Sequence, residues 1–387
     1  MDINQKALWE HEKKHGKFAT RSKMPLRNKR DLSIAYTPGV AAVSSEITKN
    51  PTRVKTLTSK QNMVAIVSDG SAVLGLGNIG PLAALPVMEG KAAIFKTFAN
   101  IDAVPIVLNT QQQDEIIKAV TWIAPTFGGI NLEDIAAPKC FFIEQKLRKE
   151  LDIPVFHDDQ HGTAIVISAA LTNALKVLGK KAEEITIVIN GAGSAGIATA
   201  KMLLALRPKD IIMLDSIGII NNDRGNLNFA KKELASLTNK NKKKGGLEEA
   251  LKNVDVFIGV SKGNILTPKH IKLMAKEPII FALANPIPEI MPDAAKKAGA
   301  KIIATGRSDF ENQINNSLAF PGFFRGLLDG NIVHITEELE LAASRALADA
   351  VERPTIHNIL PTMFDKGLAN KIAKAVIKAQ PKWKIEK

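Results

Sequence analysis

Two histidines and two aspartates fall within five consecutive residues, His157-Asp158-Asp159-Gln160-His161, between a strand-like apolar run and a helix-like one. Charged groups at such a corner are costly to bury unless each is paired or bound to something. A second acidic pair, Glu133-Asp134, precedes Asp158-Asp159 by 25 residues. Three or four carboxylates gathered in one cleft repel one another unless a cation neutralises them. Oxygen donors select hard divalent ions, so the pattern predicts a magnesium or manganese site. Two other readings use the same residues. His157 and His161 could form a zinc pair at i, i+4 spacing, although that spacing straddles a strand-to-helix turn. Asp158 or Asp159 could cap a helix beginning near Gly162-Thr163, but capping would employ one aspartate and leave the rest of the cluster without a role.

A second chemistry-bearing stretch lies at Gly191-Ala192-Gly193-Ser194-Ala195-Gly196, a G-x-G-x-x-G directly after ITIVIN and directly before the helical run IATAKMLLALR. In this context the first glycine permits a tight turn, the second lets a pyrophosphate approach the backbone and the third lets helix and strand pack closely. The helix N-terminus adds a positive dipole, so Gly191, Gly193, Ser194, Ala195 and Gly196 are expected to hold a dinucleotide. The next apolar strand ends at Asp215, ~20 residues on, where a carboxylate bonds ribose hydroxyls. That carboxylate would repel a 2′-phosphate, and Ser216-Ile217-Gly218 brings no lysine or arginine to offset it. NAD is expected ahead of NADP; Arg224, within reach, keeps NADP possible.

The elements that must position these residues alternate in a simple way. From about Ala182 onward, β-branched runs (ITIVING, IIMLD, VDVFIGV, PIIFALANP, KIIATG) alternate with helix-like stretches. Near-continuous apolar strands of this length imply a parallel sheet covered on both faces, so residues 161–387 read as a Rossmann-like, doubly wound α/β domain. Residues 1–160 read as a less regular, mixed α/β domain. It opens with a basic helical segment and has strands over NMVAIVSDG (62–70) and AVPIVLNT (103–110), with helices over EGKAAIFKTFAN, DEIIKAVTWIA and FFIEQKLRKEL. The boundary near residue 160 coincides with the acidic corner, and clefts between domains commonly bind ligands.

Composition narrows the class. With 387 residues, 45% hydrophobic and 24% charged, the chain is long enough for two cored domains. A single cysteine, Cys140, excludes an internal disulfide and a thiolate metal site, and reads as a small buried hydrophobe in a reduced compartment. The charged N-terminus does not fit a secretory signal, and no apolar run approaches the ~20 residues that span a bilayer, so a cytoplasmic protein without a membrane partner is expected. Net charge is +13, which suits anionic metabolites and dinucleotides as well as nucleic acid. The densest basic run, Lys240 to Lys244, lacks interleaved aromatics and reads as a solvated loop, not a nucleic-acid contact.

Several ordered blocks together carry a resemblance: TPGVA (37–41), SDGSAVLGLGNIGPLAALPVMEGKA (68–92), LEDI (132–135), HDDQHGTA (157–164), the glycine turn (191–196), FALANP (281–286) and ENQINNSLAFPG (311–322). Across nearly its whole length the chain resembles the malic enzyme family in its short bacterial form. The resemblance implies oxidative decarboxylation of L-malate to pyruvate and carbon dioxide, with NAD or NADP and with magnesium or manganese. It implies Glu133, Asp134 and Asp159 as metal ligands, with Asp158 left beside them. It further implies Tyr36 and Lys91 as an acid–base pair, Asn316 as a malate-binding amide, and Asn285 as an amide available to malate or to the nicotinamide.

Read from the residues alone, Tyr36 would be core and Lys91 a surface lysine at the head of an apolar helix. In the implied chemistry Lys91 takes the hydroxyl proton as a neutral amine, its pKa lowered by burial and a nearby cation, and Tyr36 protonates C3 of the enol. Larger family members carry an arginine where this chain has Ala72, so the Asn-rich stretch, a positive helix end, or a basic residue such as Arg21 or Arg30 of a neighbouring subunit would have to hold that malate carboxylate. The resemblance also suggests a homodimer or higher homo-oligomer, with the N-terminal segment reaching to the other subunit. Two rival readings are a malolactic conversion of malate to lactate on the same site and a non-catalytic dinucleotide-binding protein.

Overall fold

The computed structural model describes residues 2–381. Two parallel sheets form its frame. The first has four strands, β1 (Met63–Ser68), β2 (Asp102–Val107), β3 (Gly129–Leu132) and β4 (Val155–His157), in the order β2-β1-β3-β4, all parallel. β1 is buried at five of its six positions, as a central strand covered on both faces must be. β3 escapes sequence reading because GINL is four residues long, follows a glycine and carries a polar Asn131.

The second sheet contains β5 (Thr186–Asn190), β6 (Asp210–Asp215), β7 (Gly218–Ile219), β8 (Val256–Gly259), β9 (Ile279–Ala282) and β10 (Ile302–Thr305). Its order is β10-β9-β8-β5-β6-β7, with only the short β7 antiparallel. Strand order reverses between β5 and β8, the place where an open α/β sheet leaves a crevice for a ligand. The expected Rossmann-like domain is therefore present, with each of its five apolar runs in a strand.

The Asp158–Leu178 helix joins the sheets. It starts a full turn earlier than the expected Gly162-Thr163, so residue 160 lies inside the helix. At 21 residues it is also long and apolar enough to span a bilayer, contrary to the sequence reading, but most of it is packed inside the protein. The chain returns to the first sheet near its end: Phe320 and Phe324, on the Phe320–Asp329 helix, pack tilted and edge-on against Phe95 at centroid distances of 4.7 and 5.3 Å. Phe156 of β4 meets Phe323 at 4.8 Å and Phe324 at 5.6 Å. All five rings are essentially buried, so this aromatic block fixes the C-terminal helices against the domain bearing the acidic corner.

The N-terminal 50 residues behave differently. Their helices, Ile3–Lys14, Lys29–Ala35 and Val40–Lys49, have no buried residue, and Ile3, Leu8, Trp9, Leu26, Ile34 and Tyr36 stand open to solvent.

Candidate active site

The sheet register brings the acidic residues together. Leu132 pairs with His157, so the next residues of each strand, Glu133 and Asp158, leave the sheet side by side, and Asp159 follows on the first turn of the Asp158–Leu178 helix. There the helix dipole favours both aspartates. Glu133, Asp134 and Asp159 each offer one carboxylate oxygen within 4.8 Å of the others. The backbone N–H of Asp134 donates to Asp159 Oδ2 at 2.8 Å, and Asn131 Nδ2 donates to Glu133 Oε2 at 2.8 Å. Burial, together with the charges of neighbouring carboxylates, pushes Glu133 and Asp159 above the usual carboxylate range, a position that a divalent cation would relieve. Three hard oxygen donors sharing one space fit magnesium or manganese.

Zinc does not fit the two histidines. His161 Nε2 lies 3.0 Å from Glu144 Oε2 and its Nδ1 2.8 Å from Glu340 Oε1, so both ring nitrogens are committed elsewhere. His157 is fully buried, and burial holds it down to about 4, as a neutral ring.

Lys91 is 7% exposed, on the Gly80–Ala99 helix. Its Nζ lies 2.5 Å from Glu133 Oε2, 2.5 Å from Asp158 Oδ2 and 4.5 Å above the ring of Phe320. The surface lysine expected from residue type is therefore wrong. Burial acts on its amine in the expected direction, but the charges of Asp158, Glu133 and Asp159, none of them shared with a cation, outweigh it and hold Lys91 charged. Asp158, on burial, is pushed up to about 6 despite Lys91.

Lys91, Glu133, Asp134 and Asp159 line a cavity of about 520 Å³ whose opposite wall is the C-terminal edge of the second sheet, including Ser194, Ala195, Ser261 and Asn285, with Asn316 and Ser317 also lining it. The glycine turn has the form its spacing predicts. Gly191 has φ +123°, and a Cβ there would meet the Val260 carbonyl oxygen at 2.7 Å. A Cβ on Gly196 would strike the Gly191 carbonyl oxygen at 1.8 Å, whereas nothing lies within 4 Å of a Cβ on Gly193, which leaves an open cradle beside the helix N-terminus. The residues therefore fit a dinucleotide's pyrophosphate.

Of two further expected residues, one lies away from the cavity and the other is already engaged. Tyr36 is 66% exposed and is not among the residues lining the cavity of its own chain. Asp215 sits beside the glycine turn, where Gly191 N–H donates to the Leu214 carbonyl, but its carboxylate is already engaged. Arg224 donates to both of its oxygens, at 2.9 and 3.0 Å, and Lys231 to Oδ2 at 2.8 Å. Partial burial opposes ionisation, yet the hydrogen bonds from these two cations hold the acid well below its usual range. The charge around Asp215 therefore sums to +1, the reverse of the repulsion expected for a 2′-phosphate. Lys231, sixteen positions away on the following helix, left no local signal in the sequence.

Residue typing also missed the buried brace behind the corner. Glu144, inside a stretch read only as helix, accepts from the His157 N–H at 2.9 Å, from Gln160 Nε2 at 3.2 Å and pairs with Arg148 at 2.8 Å as well as with His161. Cys140 is fully buried, as expected, and burial raises its thiol. Ala72 lines the cavity, and Lys91 is the one cation among the described residues that line it; Arg21 and Arg30 are on the surface of the N-terminal segment.

Together, fold and cavity define a two-domain α/β dinucleotide-binding protein with a cluster of acids facing the glycine turn. The family model for the malic enzyme N-terminal domain matches residues 15–148, and that for the malic enzyme NAD-binding domain matches residues 160–380. The chain belongs to the malic enzyme family. It is 54% identical to the bifunctional malic/malolactic enzyme of Bacillus subtilis, covering 98% of this chain and 93% of that one. It is 52% identical to the NAD-dependent malic enzyme of Geobacillus stearothermophilus, over 94% and 76% of the two chains. Among solved structures, the NAD-dependent malic enzyme of Thermotoga maritima matches with a TM-score of 0.92 at 50% identity, over 96% of this chain and 98% of that one.

Proposed function

We propose that the protein is a divalent-metal-dependent malic enzyme that oxidises and decarboxylates L-malate to pyruvate and carbon dioxide with NAD or NADP. The observation that carries this reading is the shared cavity: Glu133, Asp134 and Asp159, with carboxylate oxygens within 4.8 Å of one another, line one space with Lys91 and with Ser194 and Ala195 of the glycine turn. The names of its relatives support the reaction, some as NAD-dependent and others as NADP-dependent malic enzymes.

When bound, magnesium or manganese held by those three carboxylates supplies the Lewis acid for both steps, and the nicotinamide accepts the hydride. Lys91 is the group placed to take the proton of the malate hydroxyl. In the structure its amine is held charged by neighbouring carboxylates; with Glu133 serving a cation, burial and that positive charge would favour the neutral amine that takes this proton, with Asp158 left to orient it. The amides of Asn285 and Asn316 face the cavity and can donate to malate's carboxylates or to the nicotinamide amide, the work that an arginine at position 72 would otherwise share. Phe320, Ile94 and Val87 form an apolar wall that keeps water from the reacting carbons.

Protonation at C3 falls to Tyr36, which its own chain does not bring to the cavity. The reading that keeps this role is a homodimer in which the exposed N-terminal segment of one subunit reaches the cavity of the other. For the cofactor, the pairing of Asp215 with Arg224 and Lys231 removes the reason to expect NAD alone, and both dinucleotides fit.

The test is a spectrophotometric assay with L-malate, Mn²⁺, and NAD or NADP, before and after chelation. Reduced cofactor and pyruvate that vanish with EDTA and return with Mn²⁺ are expected. Lactate without net reduced cofactor would replace the reading with a malolactic one, and saturable cofactor binding without turnover would leave a binding protein.

A further inference from the structure

Asp69 is completely buried at the end of β1, yet it is not among the residues that line the cavity. Its side-chain contacts go to Lys139, just beyond the loop that carries Glu133 and Asp134, and to Ser71, which itself holds that loop. Its Oδ2 lies 2.5 Å from Lys139 Nζ, the first residue of the Lys139–Glu150 helix that follows the 133–138 loop. Its Oδ1 accepts the Ser71 N–H at 3.0 Å and the Ser71 hydroxyl at 2.6 Å.

Ser71 Oγ, with its proton thus directed at Asp69, accepts the N–H of Ala136 at 2.9 Å, and the next residue, Ala72, donates its N–H to the Asp134 carbonyl at 2.9 Å. The loop bearing Glu133 and Asp134 is therefore fixed from one side: at Asp134 O, at Ala136 N and at Lys139. Asp134 itself is held at φ +53°, a left-handed conformation that a non-glycine residue keeps only where its surroundings over-determine it.

We infer that Asp69, acting through Ser71 and Lys139, is a positioning residue that sets the cation affinity of the Glu133–Asp134–Asp159 cluster without touching the ion. The inference rests on the proposed metal-holding role of those three residues. Its physical basis is pre-organisation: carboxylates held in place lose little freedom on binding, and partners behind metal ligands typically change affinity on the order of 10–100-fold. The arrangement also separates charge sensibly, because Lys139 neutralises Asp69 on the far side of the loop and leaves the cluster's own charge for the cation.

The experiment measures Mn²⁺ binding to the full chain by electron paramagnetic resonance of free Mn²⁺, alongside NAD binding and the melting temperature in EDTA. Asp69→Asn and Ser71→Ala should each weaken Mn²⁺ binding by about 10–100-fold with NAD affinity unchanged. Ser71→Thr, which keeps the hydroxyl, should retain wild-type Mn²⁺ affinity. A folded Ser71→Ala protein that binds Mn²⁺ as tightly as wild type overturns the inference, and that variant with Ser71→Thr decides the matter should Asp69→Asn not fold. A wild-type protein that binds no Mn²⁺ defeats the metal reading itself and this inference with it, an outcome distinct from a clamp that has no effect.

Discussion

Lys91 and Asp158 are 67 positions apart in the chain, yet Nζ of one lies 2.5 Å from Oδ2 of the other, with both side chains buried. The contact spans two elements, the Gly80–Ala99 helix and the N-terminus of the Asp158–Leu178 helix, and it orients the only cation that the described residues bring to the cavity wall. Removing the amine with Lys91→Ala should lower kcat by ~10²–10⁴-fold, the usual worth of a positioned proton acceptor. Dissociation constants for NAD, followed by protein fluorescence, should stay near wild type. A variant with unchanged kcat would remove Lys91 from the chemistry.

Asp159→Ala should raise the Mn²⁺ concentration needed for half-maximal activity by more than about tenfold, since one of three hard donors is gone and the backbone N–H of Asp134 loses its acceptor. Metal titration of activity after EDTA treatment gives the number. Equal metal requirements in variant and wild type would place the ion elsewhere.

Arg224→Ala and Lys231→Ala should each weaken NADP relative to NAD by about tenfold, roughly 1.4 kcal/mol. Both cations surround the Asp215 carboxylate where a 2′-phosphate would lie, and charge-assisted bonds of this kind are the stronger sort. Calorimetric titration with the two cofactors reads the ratio directly. If the ratio does not move, the cations serve Asp215 alone.

A site completed by a second subunit predicts complementation. Tyr36→Phe and Lys91→Ala proteins, each inactive alone, should recover about a quarter of wild-type activity after subunit exchange, because half the dimers are mixed and each mixed dimer has one intact site. No recovery from exchanged subunits would leave Tyr36 without this role.

The buried Glu144–His161 pair gives stability a defined pH window. Glu144 is lowered to about 2, because the charges of Arg148 and His161 outweigh its burial; its contribution is complete above the ordinary value of 4.5 and fades as pH falls below it. His161 is raised to about 9, because Glu144 and Glu340 outweigh burial; its contribution is complete below 6.5 and is lost as pH rises through about 9. Glu144→Gln should therefore cost about 3 kcal/mol between these limits, the scale of breaking a buried pair. Melting temperatures of the two proteins should draw together above about pH 9. A constant gap across the range would mean the pair is not what titrates.

Much of this protein is written locally. The apolar runs of the second half declare a parallel sheet because a strand covered on both faces can carry few polar groups, and the glycine turn between strand and helix declares a dinucleotide site because its three constraints act within six residues. A cation shared by the acidic pairs Glu133-Asp134 and Asp158-Asp159 could be expected from the electrostatic cost of gathering such acids in one cleft, whereas the choice of Glu133, Asp134 and Asp159 among them came only with the family resemblance. What the sequence left undetermined are relations between distant segments. The ionic state of Lys91 depends on carboxylates 42 and 67 positions further on; the charge at Asp215 depends on a lysine one helix away; and the open position of Tyr36 depends on how the N-terminal segment lies against the rest of the chain. Residue type fixes which groups can bear charge, but the energy of each charge falls off over a few ångströms and changes with burial, so only the folded arrangement decides which charges exist and what they meet.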